Sequence, residues 1–282
     1  MKNPYLTQKI AFFFLLLATL LIVVPVGLVV VVIVQKGLPA INWQFLSDIP
    51  RQGMRAGGIF PAIVGTFYLV SGAIIFALPI GLLAAVYLTE YAKDNLLTRL
   101  IKLAIVNLAG VPSVVYGLFG LALFVVFFKF GASILSGSLT LGIMILPVII
   151  TTSVEALESV PASFREVSLS LGVSKWQTIR HIVLPNAIPG ILTGTILGLG
   201  RAAGETAPIL FTVAAFYLPQ LPGSIFDQAM ALPYHLYVIS TQVPNVDEKI
   251  RYGTAFVLLA LVLFMNLVAI VIRSKFRKKK KW

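Results

Sequence analysis

The stretch "SVEALESVPASFREVSLSLGVSKWQTIRHIVLP", Ser153 to Pro185, decides how the rest of the chain is read. It is a charged segment set between two apolar runs, and its own spacing is helical. Ser163 followed by Glu166 has the pattern of a capping box, which satisfies the first free amides of a helix and predicts a start near Phe164. Gly172 is placed to end that helix, because glycine accepts the left-handed conformation just past a helix C-terminus. Ser174 and Gln177 repeat the capping pattern, and Pro185 is expected to limit the second helix. The result is a helix, a glycine turn and a second helix that present Phe164, Val167, Leu171, Trp176 and Ile179 beside a few charges. Pattern alone leaves two readings: an interfacial loop resting on lipid headgroups, or a docking element for a soluble partner.

The runs on either side of this segment are too apolar for a soluble protein. Of 282 residues, 59% are hydrophobic and 11% charged, against roughly 45–50% and about 25% in soluble domains. This is the composition of an integral membrane protein. Six runs reach the roughly 20 residues that cross the hydrocarbon: Ile10–Val34, Phe60–Leu88, Leu103–Phe128, Ala132–Thr152, Ala187–Leu218 and Thr254–Ile272. The first is too long for a signal-peptide core and has no cleavage site. There is no cysteine, and the two histidines, His181 and His235, stand apart. A thiolate site or metalloenzyme is therefore not indicated.

The net charge of +12 resembles a nucleic-acid signal until its location is noted. Seven of the 22 basic residues lie in the last ten positions, "RSKFRKKKKW", directly after an apolar run. A basic tail there belongs at the anionic cytoplasmic leaflet, where it binds membrane lipid and fixes topology. With both termini inside, the inner segments hold 15 basic residues and the outer ones six, with Arg201 left inside a span. The division that follows is a cytoplasmic N-terminus (1–9), a first span (10–34), an outer loop (35–59), a membrane-embedded body (60–272) containing the inner loop 153–185, and the basic tail (273–282).

The inner loop carries a resemblance. Glu166, five residues, Gly172, nine residues, then "IVLP" at Ile182–Pro185 is similar to the cytoplasmic loop of importer permeases of ATP-binding-cassette transporters, whose pattern is E-A-A, three residues, G, nine residues, I-x-L-P. Val167 and Ser168 replace the two alanines. The resemblance implies that the loop inserts into a groove on an ATPase subunit, through Phe164, Glu166, Gly172, Trp176, Ile182, Leu184 and Pro185. The chain itself lacks a P-loop, since "LGVSK" has neither the second glycine nor the G-K-[ST] ending that cradles phosphates. ATP and magnesium would therefore be bound by a partner chain, and no cofactor or catalytic residue is expected in this one.

A second charged feature lies in the fifth run, "GRAAGETAPILF", Gly200–Phe211. At 100° per residue, Gly194, Gly198, Arg201 and Glu205 of a continuous helix fall within about 60° of one another. Glycines four apart mark a face where membrane helices approach closely. A charge aimed at lipid costs roughly 2.5–3.5 kcal/mol on insertion scales, so this face is expected to turn toward protein or a water-filled path. Arg201 and Glu205 read either as a self-neutralising packing pair or as a site in which the guanidinium fork holds a tetrahedral oxyanion. In the third run, Pro112 frees a backbone carbonyl, and Ser113 and Tyr116 are candidates for the same polar path; a kinked packing helix is the alternative.

"GRAAGETAPILFT", "GGIFPAIVGTFYLV" at Gly57–Val70, "AGVPSVVYGLFG" at Ala109–Gly120 and "QAMALPYHLY" at Gln228–Tyr237 resemble the A-type family of phosphate permeases. The resemblance implies an all-α fold of six transmembrane helices of the type I importer class with both termini inside, in the cytoplasmic (inner) membrane of a bacterium or archaeon. It further implies a heterodimeric pore shared with a C-type permease, two ATPase subunits inside and an extracytoplasmic phosphate-binding protein outside. Other functions fit parts of the sequence. A permease for sulfate or molybdate shares the inner loop, a stand-alone anion carrier would lack it, and an enzyme acting on a lipid phosphate would need more polar groups at one membrane depth.

Overall fold

A computed structural model of the chain describes residues 4–278. Helix α1 (Pro4–Gly37) is the first span and ends in a 3-10 turn, Leu38–Ala40. The outer loop holds the short α2 (Trp43–Ser47), capped by Asn42 through a 2.7 Å bond from the Phe45 amide, and a two-stranded hairpin. Strands β1 (Pro50–Arg51) and β2 (Ala56–Gly57) pair antiparallel, Pro50 opposite Gly57. The second span, α3 (Phe60–Val86), continues through a π-helical turn at Tyr87–Tyr91.

Then come α4 (Leu96–Leu108) and α5 (Ser113–Gly120), the latter continuing as a π-helical stretch, Leu121–Phe127. The fourth span is α6 (Ile134–Glu158), followed by α7 (Ala162–Ser170) and α8 (Lys175–Thr178). A π-helical turn at Ile179–Val183 joins α8 to α9 (Leu184–Gly204). The remaining helices are α10 (Ala207–Thr212), α11 (Leu232–Thr241) and α12 (Glu248–Lys278), the sixth span.

Among the described residues, five helices are long and apolar enough to cross a membrane, and the bent pair α4–α5, counted as one broken span and third in chain order, brings the number to six. The fold is the all-α, six-span one expected. The last basic residues, Lys279–Lys281, lie outside the described residues.

Helix α6 forms the axis of the packing, with α3 on one side and α9 on the other. Leu69, Ala73, Leu141, Met144, Ile145, Ile149, Ile209 and Val213 close a buried core around it. A second cluster at the cytoplasmic end joins Ala85, Leu157, Val160, Ile179, Val183 and Ala187. By contrast α1 shows almost all of its side chains at the surface, as a lipid-facing helix does. Its outer end packs on α12, where Gly37 approaches Tyr252 and Phe256, so the first and sixth spans share an outer end.

Four sequence expectations are corrected. The third span is not one helix over Leu103–Phe128: α4 and α5 meet at 101°. The fifth span does not run to Leu218, because α9 ends at Gly204 and Glu205 is extended, with φ −76 and ψ 136. Both breaks have the same cause. A proline ring clashes with the carbonyl four residues back and offers no amide; Pro112 ends α4 at Leu108, and Pro208 ends α9 at Gly204.

Third, Ser163 is not the cap of α7. The helix begins at Ala162 with Pro161 as N-cap at φ −54, a φ that the pyrrolidine ring supplies in advance. Fourth, Pro185 does not stop the second inner helix, which runs from Lys175 to Gly204 as one span. The π-helical turn at Ile179–Val183 widens the helix where the ring of Pro185 would meet the preceding turn. Gly172 does end α7, at φ +79, and Ser174 with Gln177 forms the expected capping box.

Candidate functional site

The two breaks lie close together. The Cβ that Gly198 lacks would sit 3.5 Å from both Ile145 and Ile149, halfway along α6, so Arg201 and the end of α9 stand near mid-depth of the bundle. Arg201 Nε is 3.5 Å from Glu205 Oε1, with the two side chains 30% and 17% exposed. The contact is longer than the 2.7–2.9 Å typical of a charge-assisted hydrogen bond: the carboxylate attracts the guanidinium without gripping it. Because Glu205 lies beyond the end of α9, the pair spans a helix terminus, and the common helical face holds only as far as Arg201.

On the other side, α5 opens at Pro112 and Ser113 and packs on α10 through Gly117, whose missing Cβ would meet Phe211, Pro208 and Ala207 at 2.8, 3.0 and 3.1 Å. Tyr116 is buried, donates its hydroxyl to Leu108 O at 2.8 Å, and lies within the electrostatic reach of Arg201. That hydrogen bond supplies one of the carbonyl partners that the break removes. Ser113, half-buried, stands in the first turn of α5. Non-helical backbone at membrane depth is tolerated where it lines a cavity or is buried in protein, and half-helix ends are where membrane transporters bind ions. Thus Arg201, Glu205 and Tyr116 are brought to one region, with the Tyr116 hydroxyl already engaged as a donor and Ser113 one turn before it on α5.

The outer side of this region is closed by the segment between the fifth and sixth spans. Thr66 of α3 donates to Ala62 O and accepts from the Leu232 amide, each at 2.8 Å. Ala231 and Pro233 thereby line the same narrow gap as Ala203 and Glu205. Helix α11 is buried along Leu232, Pro233, Tyr234, His235, Val238 and Ile239, a short re-entrant element held by protein contacts. Arg51 and Arg55, the outer arginines, are both engaged: Arg51 pairs with Asp48 at 3.0 Å and Arg55 donates to Pro244 O at 3.1 Å.

At the inner side, α7 and α8 form the expected helix–glycine–helix element. Val167, Leu171 and Trp176 are exposed at 61%, 77% and 53%, and Glu166 and Gly172 lie on the same open surface. The reading that Phe164 and Ile179 also face outward is corrected, because Phe164 packs into the inner cluster and Ile179 is fully buried. Leu184 joins that cluster, Ile182 is half-buried and Pro185 exposed.

Residues 77–282 match the family model of the binding-protein-dependent transport system inner membrane component. The chain belongs to that family.

Relatives sharpen the placement of this permease. A probable ABC transporter permease, YqgI of Bacillus subtilis, is 36% identical over 258 residues, covering 86% of this chain and 87% of its own. The phosphate transport system permease protein PstA 1 of Mycobacterium tuberculosis is 38% identical, covering 77% and 71%. That of Xylella fastidiosa, PstA, is 33% identical, covering 86% and 85%. The permease is thus a PstA-family member.

Solved structures share its fold. A bacterial ABC transporter involved in the import of the acidic polysaccharide alginate matches with a TM-score of 0.62 at 15% identity, over 96% of this chain and 99% of that one. The inward-facing MetNI methionine ABC transporter matches with 0.59 at 15%, over 77% and 97%. By its family and its PstA relatives, not by these distant structures, the protein is a multi-pass inner-membrane component, not catalytic by itself, of a transporter that works with ATPase subunits and a substrate-binding protein.

Two residues of the permease had no signal in the sequence. Glu90, in the π-helical end of the second span, and Arg165, in α7, form an ion pair at 2.7 Å with side chains 7% and 23% exposed. They are 75 positions apart, and although Arg165 stands directly before Glu166 in the inner loop, nothing in the loop pattern points to Glu90. A polar residue at the cytoplasmic end of a span reads as a solvated boundary charge until its partner is seen.

Proposed function

We propose that this permease moves inorganic phosphate inward, as half of a pore completed by a homologous C-type permease. Two ATPase subunits that hold ATP and magnesium act on the exposed face of α7 and α8, and an extracytoplasmic phosphate-binding protein delivers the anion from outside. The observation that carries the reading is the Arg201–Glu205 pair, 3.5 Å apart across the end of α9. A permanently charged, planar guanidinium offers two parallel donors to a tetrahedral oxyanion, and a carboxylate held this loosely can give way to substrate and return when it leaves. The phosphate transport named for the PstA relatives supports the same substrate, and no observation favours sulfate or molybdate over it.

Radiolabelled phosphate uptake in phosphate-starved cells lacking this gene provides the test, with sulfate as control and insertion checked by immunoblot. Wild type should restore uptake and Arg201→Gln should not, by a factor of 10 or more, since one charge-assisted hydrogen bond contributes roughly 1.5–3 kcal/mol. Equal rescue by both would leave Arg201 a packing residue, and sulfate uptake without phosphate uptake would overturn the substrate.

A further inference from the structure

The exposed docking face of α7 and α8 stands on a polar scaffold that reaches three spans. Arg165 is its centre. Its Nε and Nη2 donate to Glu90 Oε1 at 3.0 and 2.7 Å, which fastens α7 to the end of the second span. Nη2 also donates to Leu157 O at 2.9 Å and Nη1 to Val160 O at 2.8 Å, where the fourth span ends. One side chain thus holds a carboxylate, chiefly through Oε1, and two backbone carbonyls at the end of the fourth span.

Two further contacts complete the scaffold. Ser168 and Thr178, both buried, share a hydrogen bond of 2.8 Å between α7 and α8, and α8 is continuous with the fifth span that carries Arg201. Lys175 Nζ lies 4.9 Å from the Tyr91 ring centroid, tying α8 to the end of the second span as well. Val167, Leu171 and Trp176 therefore project from a block that Arg165, Ser168 and Thr178 fasten from the inner side.

We propose that the inner element moves as one rigid body with the cytoplasmic ends of the second, fourth and fifth spans, and that Arg165, through Glu90, is the positioning residue of this joint. The proposal rests on the reading of the exposed face as the ATPase contact. An element free to swivel against the spans would absorb the motion of an ATPase, whereas this bonding passes it to α9 and so to the Arg201–Glu205 break. The side chain touches no substrate.

The test uses the complete transporter, purified through a tag on this chain and reconstituted in proteoliposomes, with ATP hydrolysis and anion uptake measured together. Arg165→Gln and Glu90→Gln should retain their bound ATPase subunits and hydrolyse ATP within about twofold of wild type, while anion moved per ATP falls by about tenfold or more, in the range of coupling between linked sites. Unchanged uptake per ATP would overturn the proposal, and so would hydrolysis and uptake falling together with loss of the ATPase, since that is what simple loss of packing predicts.

Should either variant fail to insert, a second measurement decides. The chain has no cysteine, so Ser168→Cys with Thr178→Cys creates a single pair where two hydroxyl oxygens now lie 2.8 Å apart. Oxidation of that pair should leave uptake within about twofold of the reduced form, as a rigid block requires; uptake lost on oxidation and regained with reductant would overturn it. The ratio is measured with phosphate and, where wild type moves none, with sulfate, so a wrong substrate is separated from a wrong joint.

Discussion

Arg201 and Glu205 face each other at 3.5 Å across the last turn of α9, with Gly204, the final helical residue, between them. Four residues apart, they have the spacing of an intrahelical pair. Their backbone does not: Glu205 sits on extended chain that Pro208 enforces. Pro112 imposes the same interruption on the third span, so two helix ends and one ion pair share a depth.

Glu205 competes with an incoming anion for the guanidinium. Glu205→Gln removes the competitor and keeps the shape, so phosphate should be held more tightly and released more slowly. The expected result is a lower half-saturation concentration together with a maximal uptake rate reduced by about tenfold, a difference of roughly 1.4 kcal/mol. Initial-rate uptake over a range of phosphate concentrations reads both; a raised half-saturation with an unchanged maximal rate would show that Glu205 assists binding instead.

Gly117 lets α5 lie on α10. Gly117→Val would bring its side chain against Phe211, Pro208 and Ala207, where even a Cβ comes within 2.8–3.1 Å. Overpacking of this kind costs roughly 1–3 kcal/mol, and here the two broken spans separate. The variant should melt earlier in detergent than wild type and lose uptake with it. The contrast is Gly27→Val, where an added Cβ meets nothing within 4 Å and neither quantity should change.

Gly172 isolates a backbone effect. Its φ is +79 and nothing lies within 4 Å of a built Cβ, so Gly172→Ala adds no clash and only the cost of a left-handed non-glycine residue, roughly 1–2 kcal/mol. The turn between α7 and α8 should open or fray. Copurification of ATPase subunits should fall while membrane insertion stays constant; an unchanged yield of ATPase would show that the turn tolerates the strain.

His235 links acid to the outer segment. Burial in α11 depresses its pKa from 6.5 to about 4, because the charged ring cannot be solvated there, and its Nδ1 has no hydrogen-bond partner. Above pH 6.5 the ring is neutral folded or unfolded and stability is complete. Between pH 6.5 and 4 the unfolded state binds the extra proton, so stability falls as pH falls. At 1.36 kcal/mol per unit the full loss is on the order of 3 kcal/mol. Melting temperatures at pH 7 and pH 5 should differ more for wild type than for His235→Gln, and equal differences would exclude the histidine.

By itself the sequence determined what hydrophobicity and local stereochemistry control. The six apolar runs, the Ser174–Gln177 capping box, the end of α7 at Gly172 and the loop spacing from Glu166 to Pro185 are all legible, because each depends on residues within one or two turns. Pro112 and Pro208 were legible as residues but not as breaks: a proline in a membrane span bends it, widens it or ends it according to what packs alongside. Pro185 shows the difference, since the same residue is absorbed by a π-helical turn where α9 is held against α6.

Only the tertiary structure decided the rest. It turned Phe164 and Ile179 inward, joined α8 to the fifth span, brought Tyr116 within electrostatic reach of Arg201, and set Arg165 on Glu90. These relationships run between segments tens of residues apart. Their energy comes from desolvating and pairing groups that no local pattern connects, so they exist only once the spans have packed.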